Sequence, residues 1–183
     1  MRRSARVGLV AALCLTLIHH IATWTINAQE ATLSANHRVF LPTVTRSLAV
    51  TPDQPDETFV ALEELNRQRR ANGCPALQAS QELQLAAVRH SEDMARSGNF
   101  SHTGSNGSDF VQRARDAGYR YTPTGETIGL GYTSSSAVIN GWLNSPEHRK
   151  ILLNCANTDV GIGLWINPNS AYRFYWTAVF GRR

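Results

Sequence analysis

Three short stretches carry the side chains that could do chemistry. Phe100-Ser101-His102-Thr103-Gly104 sets one imidazole among hydroxyls and a glycine, the composition of a surface loop, where binding residues concentrate. Gly125-Glu126-Thr127-Ile128-Gly129 carries a single carboxylate in an otherwise uncharged stretch. Ser145-Pro146-Glu147-His148-Arg149 places an acid beside an imidazole. If the fold gathers them, His102, Glu126, Glu147 and His148 line one pocket. Two imidazoles with one or two carboxylates can ligate a divalent metal such as zinc, or move protons. Each residue also has a plainer use. His102 can hydrogen-bond a neighbouring loop, Glu126 can cap a turn, Glu147 can be a first-turn acid favoured by a helix dipole, and His148 can be a structural imidazole. Spacing alone leans toward those plainer uses. His90 falls on an apolar helical stripe and reads as structural.

Other chemistries lack their residues. There is no His-Glu-x-x-His zinc motif, no Gly-x-Ser-x-Gly nucleophile elbow and no phosphate loop. Gly161-x-Gly163 is strand-like and lacks a dinucleotide context. Of three cysteines, Cys14 lies in an N-terminal segment that reads as an export signal. Met-Arg-Arg-Ser-Ala-Arg is followed by an apolar run from Val7 to Ile18 and by Ile26-Asn27-Ala28 as the cleavage site. A retained membrane anchor is the alternative, but His19 and His20 cut the run short of a span. Cys74 and Cys155 remain, and export favours their pairing over two buried thiols. Closing that loop contributes about 4 kcal/mol in the chain-entropy model.

Removal of residues 1–28 also changes the charge. The full chain has 18 Lys and Arg against 14 Asp and Glu. Losing Arg2, Arg3 and Arg6 leaves a chain near neutrality, so no nucleic-acid partner is expected. The hydrophobic fraction of 42% is that of a globular protein, expected as a monomer with no transmembrane span after processing.

The elements that must position these residues are legible in outline. Residues 29–57 are polar, with Val39-Phe40-Leu41 as their apolar cluster, and read as a linker or disordered arm. A domain over 58–183 follows. Phe59, Leu62 and Leu65 mark a first helix, stopped at Gly73. Ser80 caps a second, with Leu83, Ala87, His90 and Met94 on one face and Gly98 at its end. A third runs from Asp109 to Ala117 with Ser108 as cap, a fourth over 137–143, and Ser145-Pro146 opens a fifth. Residues 160–166 and 172–180 are strands around the turn Asn167-Pro168-Asn169-Ser170. Helices first and strands late give an α+β architecture. The four Trp and six Phe are assigned to packing.

Read in order, the motifs resemble the CAP superfamily: cysteine-rich secretory proteins, antigen-five allergens and pathogenesis-related proteins. Leu65-Asn66-x-x-Arg69, His90-Ser91-x-Asp93-Met94, Phe100-Ser101-His102, Gly118-Tyr119, Gly125-Glu126-Thr127-Ile128, Trp142-x-x-Ser145-Pro146-x-His148-Arg149 and Tyr175-Trp176-Thr177-x-x-Phe180-Gly181 are similar to its bacterial branch. The resemblance covers about residues 58–181. It implies a three-layer α-β-α sandwich with a central antiparallel sheet and a cleft of two His and two acids able to bind a divalent cation. His102 and Glu126 match the first His and first acid. The final strand's His is replaced by Phe174 or its neighbour. The second acid has no exact counterpart: Ser145 falls near it, and Glu147 two residues on. His148 supplies an imidazole of the bacterial pattern.

The expected protein is therefore secreted or cell-envelope-associated and non-catalytic, binding a small ligand, lipid, peptide or glycan, or a divalent metal, in a His/Glu cleft. A metal-assisted, peptidase-like hydrolase using His102, Glu126 and His148 is one alternative. A structural envelope protein is the other.

Overall fold

The computed structural model describes residues 56–183. The signal over 1–28 lies outside the described residues, as does the arm over 29–57 apart from its last two positions.

Local chemistry sets the helix ends. Helix α1 (Glu57–Ala71) is capped by Asp56, which accepts the Thr58 N–H at 2.9 Å. Its buried face is Ala61, Leu65, Asn66 and Arg69, at the three- and four-residue spacing of a helix stripe. Phe59, expected on that face, is 60% exposed instead. Helix α2 (Gln81–Ser97) is capped by Ser80 and stops at Gly98, which takes a left-handed φ of 71°. Helix α3 (Phe110–Asp116) uses Asp109 as its cap, one residue later than expected. Helices α4 (Ser135–Asn144) and α5 (Pro146–Leu152) meet at Ser145.

Four strands form one sheet: β1 (Gln78–Ala79), β2 (Thr122–Leu130), β3 (Asp159–Ile166) and β4 (Phe174–Arg182), in the order β1-β3-β4-β2. The β3–β4 hairpin is antiparallel, as is β4 with β2, in a register that sets Glu126 opposite Val179. The two-residue β1 pairs parallel with β3. Neither β1 nor β2 is evident in the sequence. Strand β2 carries Pro123, two glycines and a register shift at Pro123/Gly125, all of which weaken a strand pattern.

The layers follow from alternation along the strands. Val160, Ile162, Trp176, Ala178 and Phe180 face α1, α4 and α5. Val179, Tyr175 and Ile128 face α2 and α3. On that second face β3 presents Gly161 and Gly163. A Cβ at these positions would lie 2.0 and 2.3 Å from the backbone of Gln84 and Val88, so α2 rests directly on the strand.

One corner is stapled. Cys74 and Cys155 form the expected disulfide. Beside it Arg69, fully buried, donates from Nε to Pro75 O (2.9 Å), from Nη1 to Leu152 O (2.6 Å) and Asn154 O (3.1 Å), and from Nη2 to Asn157 O (3.2 Å). Three of the acceptors sit at or beyond the C-terminus of α5, where carbonyls are otherwise orphaned and the dipole favours a cation. Three residues earlier, Asn66 exchanges two hydrogen bonds with the Leu77 backbone.

Candidate functional site

Four elements converge on the Glu126 carboxylate. Strand β2 supplies the acid, whose side chain is only 1% exposed. A buried carboxylate must be paired or protonated. It is paired twice. Arg113, from α3, donates to Oε2 at 2.7 Å, and His102, from the loop after α2, reaches Oε1 with Nδ1 at 2.8 Å. A carboxylate so paired only accepts, so His102 Nδ1 is the donor of this hydrogen bond and Nε2 is the ring edge left over. The His102 side chain is 54% exposed, so the imidazole is held from within and accessible from outside.

Arg113 also positions the loop. It donates to Ser108 O at 2.7 Å and His102 O at 3.1 Å. From α2, Asp93 holds the same loop through the Ser105 N–H at 2.8 Å and hydroxyl at 2.5 Å. His90, one turn earlier, places Nε2 2.9 Å from Ser101 O and 3.8 Å from Glu126 Oε1. Its pKa is pushed down mainly by burial, with Glu126 opposing. The imidazole is therefore neutral, with Nε2–H on the Ser101 carbonyl.

His148 enters from the other side of the sheet's β2 edge, as the third residue of α5. It is half-buried, and its pKa is lowered first by burial and then by the charge of His102. His148 is thus within electrostatic reach of His102. Glu147 does not join them. It is exposed, 3.8 Å from Lys150 on the helix surface. Ser145 ends α4, and Phe174 packs against the main core cluster.

Among the described residues, no group of three or more His, Cys, Asp or Glu is arranged to hold a metal ion. Glu126 explains much of this, since both its oxygens are already engaged. The cysteines are tied in the bridge.

The sequence points to His102, Glu126 and His148 and gives no sign of Arg113. The available signal is Glu126 itself. A lone acid in an apolar strand needs a cation, and the choice between the two arginines of α3, Arg113 and Arg115, is made only by the fold. His90, structural by its spacing, carries the loop carbonyl but also borders the carboxylate.

The model of the cysteine-rich secretory protein family matches residues 62–180. Over 96 residues the chain is 34% identical to YlbC of Bacillus subtilis strain 168, described as an uncharacterized membrane protein, covering 52% of this chain and 28% of that one. Over 102 residues it is 30% identical to uncharacterized YkwD of the same organism, covering 56% and 40%. The chain spans well under half the length of these curated relatives. Among solved structures, an extracellular protein containing an SCP domain from Bacillus anthracis str. Ames aligns at 29% identity and TM-score 0.63, over 69% of this chain and 40% of that one. An outer surface protein from Borrelia burgdorferi aligns at TM-score 0.63 over 69% and 92%, at 21% identity, a likeness of fold alone.

Proposed function

The chain belongs to the cysteine-rich secretory protein family, of the bacterial kind, and from that premise we propose that it is an exported, non-catalytic binding module. Its cleft lies between the His102 loop and α5, and takes a polar ligand of the cell envelope, a peptide or glycan, through the His102 and His148 imidazoles. The observation that carries this reading is the state of Glu126. Its oxygens are engaged by Arg113 at 2.7 Å and His102 at 2.8 Å, which spends the acid on positioning. The exposed His102 edge is what remains for a ligand.

Export is supported by the signal-like residues 1–28, by the disulfide, and by the description of the Bacillus anthracis neighbour as extracellular. No helix among the described residues is long and apolar enough to cross a membrane. The cavity beside the clamp has charged and hydroxyl walls, which favours polar ligands over lipid. A cavity with more apolar walls, including Phe59, Leu62 and Ile162, sits at the opposite, β1/β3 edge of the sheet.

The test is co-sedimentation of the mature domain with purified cell-wall material. His102→Ala and His148→Ala are each expected to weaken retention about tenfold, as for a lost hydrogen bond to a charged or polarised group. Undiminished retention in both variants would overturn the cleft as the binding surface.

A hydrolase is the second reading. The His102–Glu126 pair resembles the oriented half of a general-base arrangement, with Nε2 free to take a proton. Hydrolysis of the same cell-wall material, abolished by His102→Ala, would select it over simple binding.

A further inference from the structure

At the end of the sheet where β2 and β3 begin and β4 finishes, Arg183 is set as a fork for an anion. Its Nε donates to Asp159 Oδ2 at 3.0 Å, and Asp159 is wholly buried. The Tyr119 hydroxyl donates to the same oxygen at 2.8 Å, which fixes the carboxylate. The guanidinium lies over the exposed Tyr121 ring, 5.4 Å from its centroid, and Tyr119 packs against that ring with 5.7 Å between centroids. The Arg183 side chain is nevertheless 55% exposed. With Nε turned inward, its Nη1/Nη2 edge has no partner among the described residues. That edge can meet two oxygens of one phosphate at once, and the side chain's freedom is already spent on Asp159 and Tyr121.

Arg183 does not stand alone. Arg182 pairs across the sheet with Thr122, and Arg120 lies two residues before that partner. Both are exposed, and neither side chain makes a hydrogen bond or ion pair among the described residues. Glu82, an exposed acid, lies within electrostatic reach of Arg120 and Arg183, but the Ser80 hydroxyl already donates to it at 2.7 Å. Arg70, Arg149 and Lys150 continue the basic surface at the C-terminal ends of α1 and α5. Those two ends are joined by the Cys74–Cys155 bridge and by Arg149, which donates to Asn72 Oδ1 at 3.2 Å. The segment after Cys155 then meets the end of β4. The Thr158 N–H donates to Gly181 O at 2.9 Å, and the Arg183 N–H to Thr158 Oγ1 at 3.0 Å. A chain near neutrality thus gathers six exposed cations on one end.

We infer that this end of the molecule binds a linear phosphodiester polyanion, a polymer with one negative charge per repeat. The fixed Arg183 fork takes one phosphate, and Arg120 and Arg182 take its neighbours along the chain. Cations spread over two strands and two helix ends exceed what one free phosphate can engage. An anionic bilayer fits less well. Docking on lipid needs apolar side chains that enter it, and the exposed ring here, Tyr121, has Arg183 over one face and Tyr119 against it. Single-stranded nucleic acid fits less well for the same reason, because its bases stack on open aromatic faces. The inference does not rest on the cleft reading, since it uses neither His102 nor His148.

Fluorescence anisotropy of end-labelled poly(glycerol phosphate), titrated with the mature protein over a range of salt, tests it. Binding is expected, and it should weaken steeply as salt rises. Arg120→Gln/Arg182→Gln, which removes no internal bond, is expected to weaken it about tenfold. The slope of log affinity on log salt should shrink by about 0.7 for each lost contact. Arg89→Gln/Arg173→Gln removes the same charge from the middle of α2 and the turn end of the hairpin, and should bind as the native chain does. So should His102→Ala. The inference is overturned by an absence of binding, or by equal weakening in the Arg89/Arg173 variant, which would mean net charge alone. Weakening by His102→Ala would place the polymer in the cleft instead. Displacement by inorganic phosphate at matched phosphate concentration would mean a single-ion site. Equally tight binding of single-stranded DNA, or of phosphatidylglycerol vesicles, would make the surface one for nucleic acid or for membrane.

Discussion

Arg69 and Glu126 are both charged and both withdrawn from water, yet the protein treats them in opposite ways. Arg69 is surrounded by backbone carbonyls and meets no acid. Every partner is fixed by the chain's own course, and a disulfide closes the same corner. Glu126 is surrounded by side chains. One of them, Arg113, is mostly buried; another, His102, is more than half exposed. A charge answered by carbonyls can only hold a shape. A charge answered by a titratable, accessible side chain can pass information to the surface. That difference marks the first region as scaffold and the second as site.

The comparison breaks first at the scaffold. Arg69→Met keeps the aliphatic stem and removes the donors, leaving four carbonyl acceptors with one partner fewer in a dry corner. The expected loss is about 3–5 kcal/mol, read as a lowered denaturant midpoint. A loss below about 1 kcal/mol would mean that water replaces the guanidinium and that the corner is not a hub. The double variant Cys74→Ala/Cys155→Ala comes next, at about 2–4 kcal/mol. It should leave ligand binding in the cleft intact, because the Arg69 contacts still hold the end of α5. Loss of cell-wall retention without loss of folding would show instead that the bridge sets the position of His148.

How much of this was legible in the sequence depends on the range of the interaction. Caps and stops are local, so Ser80, Gly98 and Pro146 announced their helices. The β3–β4 hairpin was legible because turn residues separate two β-rich runs. Strand β2 was not, since its place between β4 and the helices is what makes a Gly- and Pro-containing segment extended. Similarly, Arg113 is one helix arginine of two until the fold sets it 2.7 Å from Glu126. The Asn66/Arg69 pair was visible only as a resemblance. Its physical meaning, one face of α1 binding distant backbone, needed the partners at Leu77 and beyond Leu152.

At the site, Glu126→Gln sharpens the contrast. The variant keeps the shape and one acceptor but leaves the Arg113 guanidinium without its counter-charge. The expected cost is about 2 kcal/mol, smaller than at Arg69 because Arg113 retains the Ser108 and His102 carbonyls. The decisive readout is the His102 ring. Its ¹⁵N shifts should report the Nδ1–H tautomer in the native protein and a mixture in the variant. An unchanged tautomer would show that the acid does not orient the imidazole.

The smallest effect, and the one that best separates the two regions, is the dependence of stability on pH. The scaffold should contribute none near neutrality, because a guanidinium stays charged throughout. The site should contribute through His90, whose pKa lies below the ordinary 6.5, chiefly because burial disfavours the charged ring. His148 is lowered in the same direction, by burial and then by His102. A histidine lowered on folding takes up its proton more readily when unfolded. Stability is therefore complete above about pH 6.5 and declines as the pH falls through the lower, folded value. Protonating His90 also has a geometric consequence. Its Nδ1 has no acceptor waiting, and Arg113 already answers Glu126. The urea midpoint should fall between about pH 7 and about pH 5 in the native chain, and the slope should flatten in His90→Gln. Arg69→Met, measured beside it, should shift the whole curve downward and leave that slope unchanged. A slope undiminished in His90→Gln, or lost in Arg69→Met, would erase the distinction between a charge that builds the fold and one that serves its site.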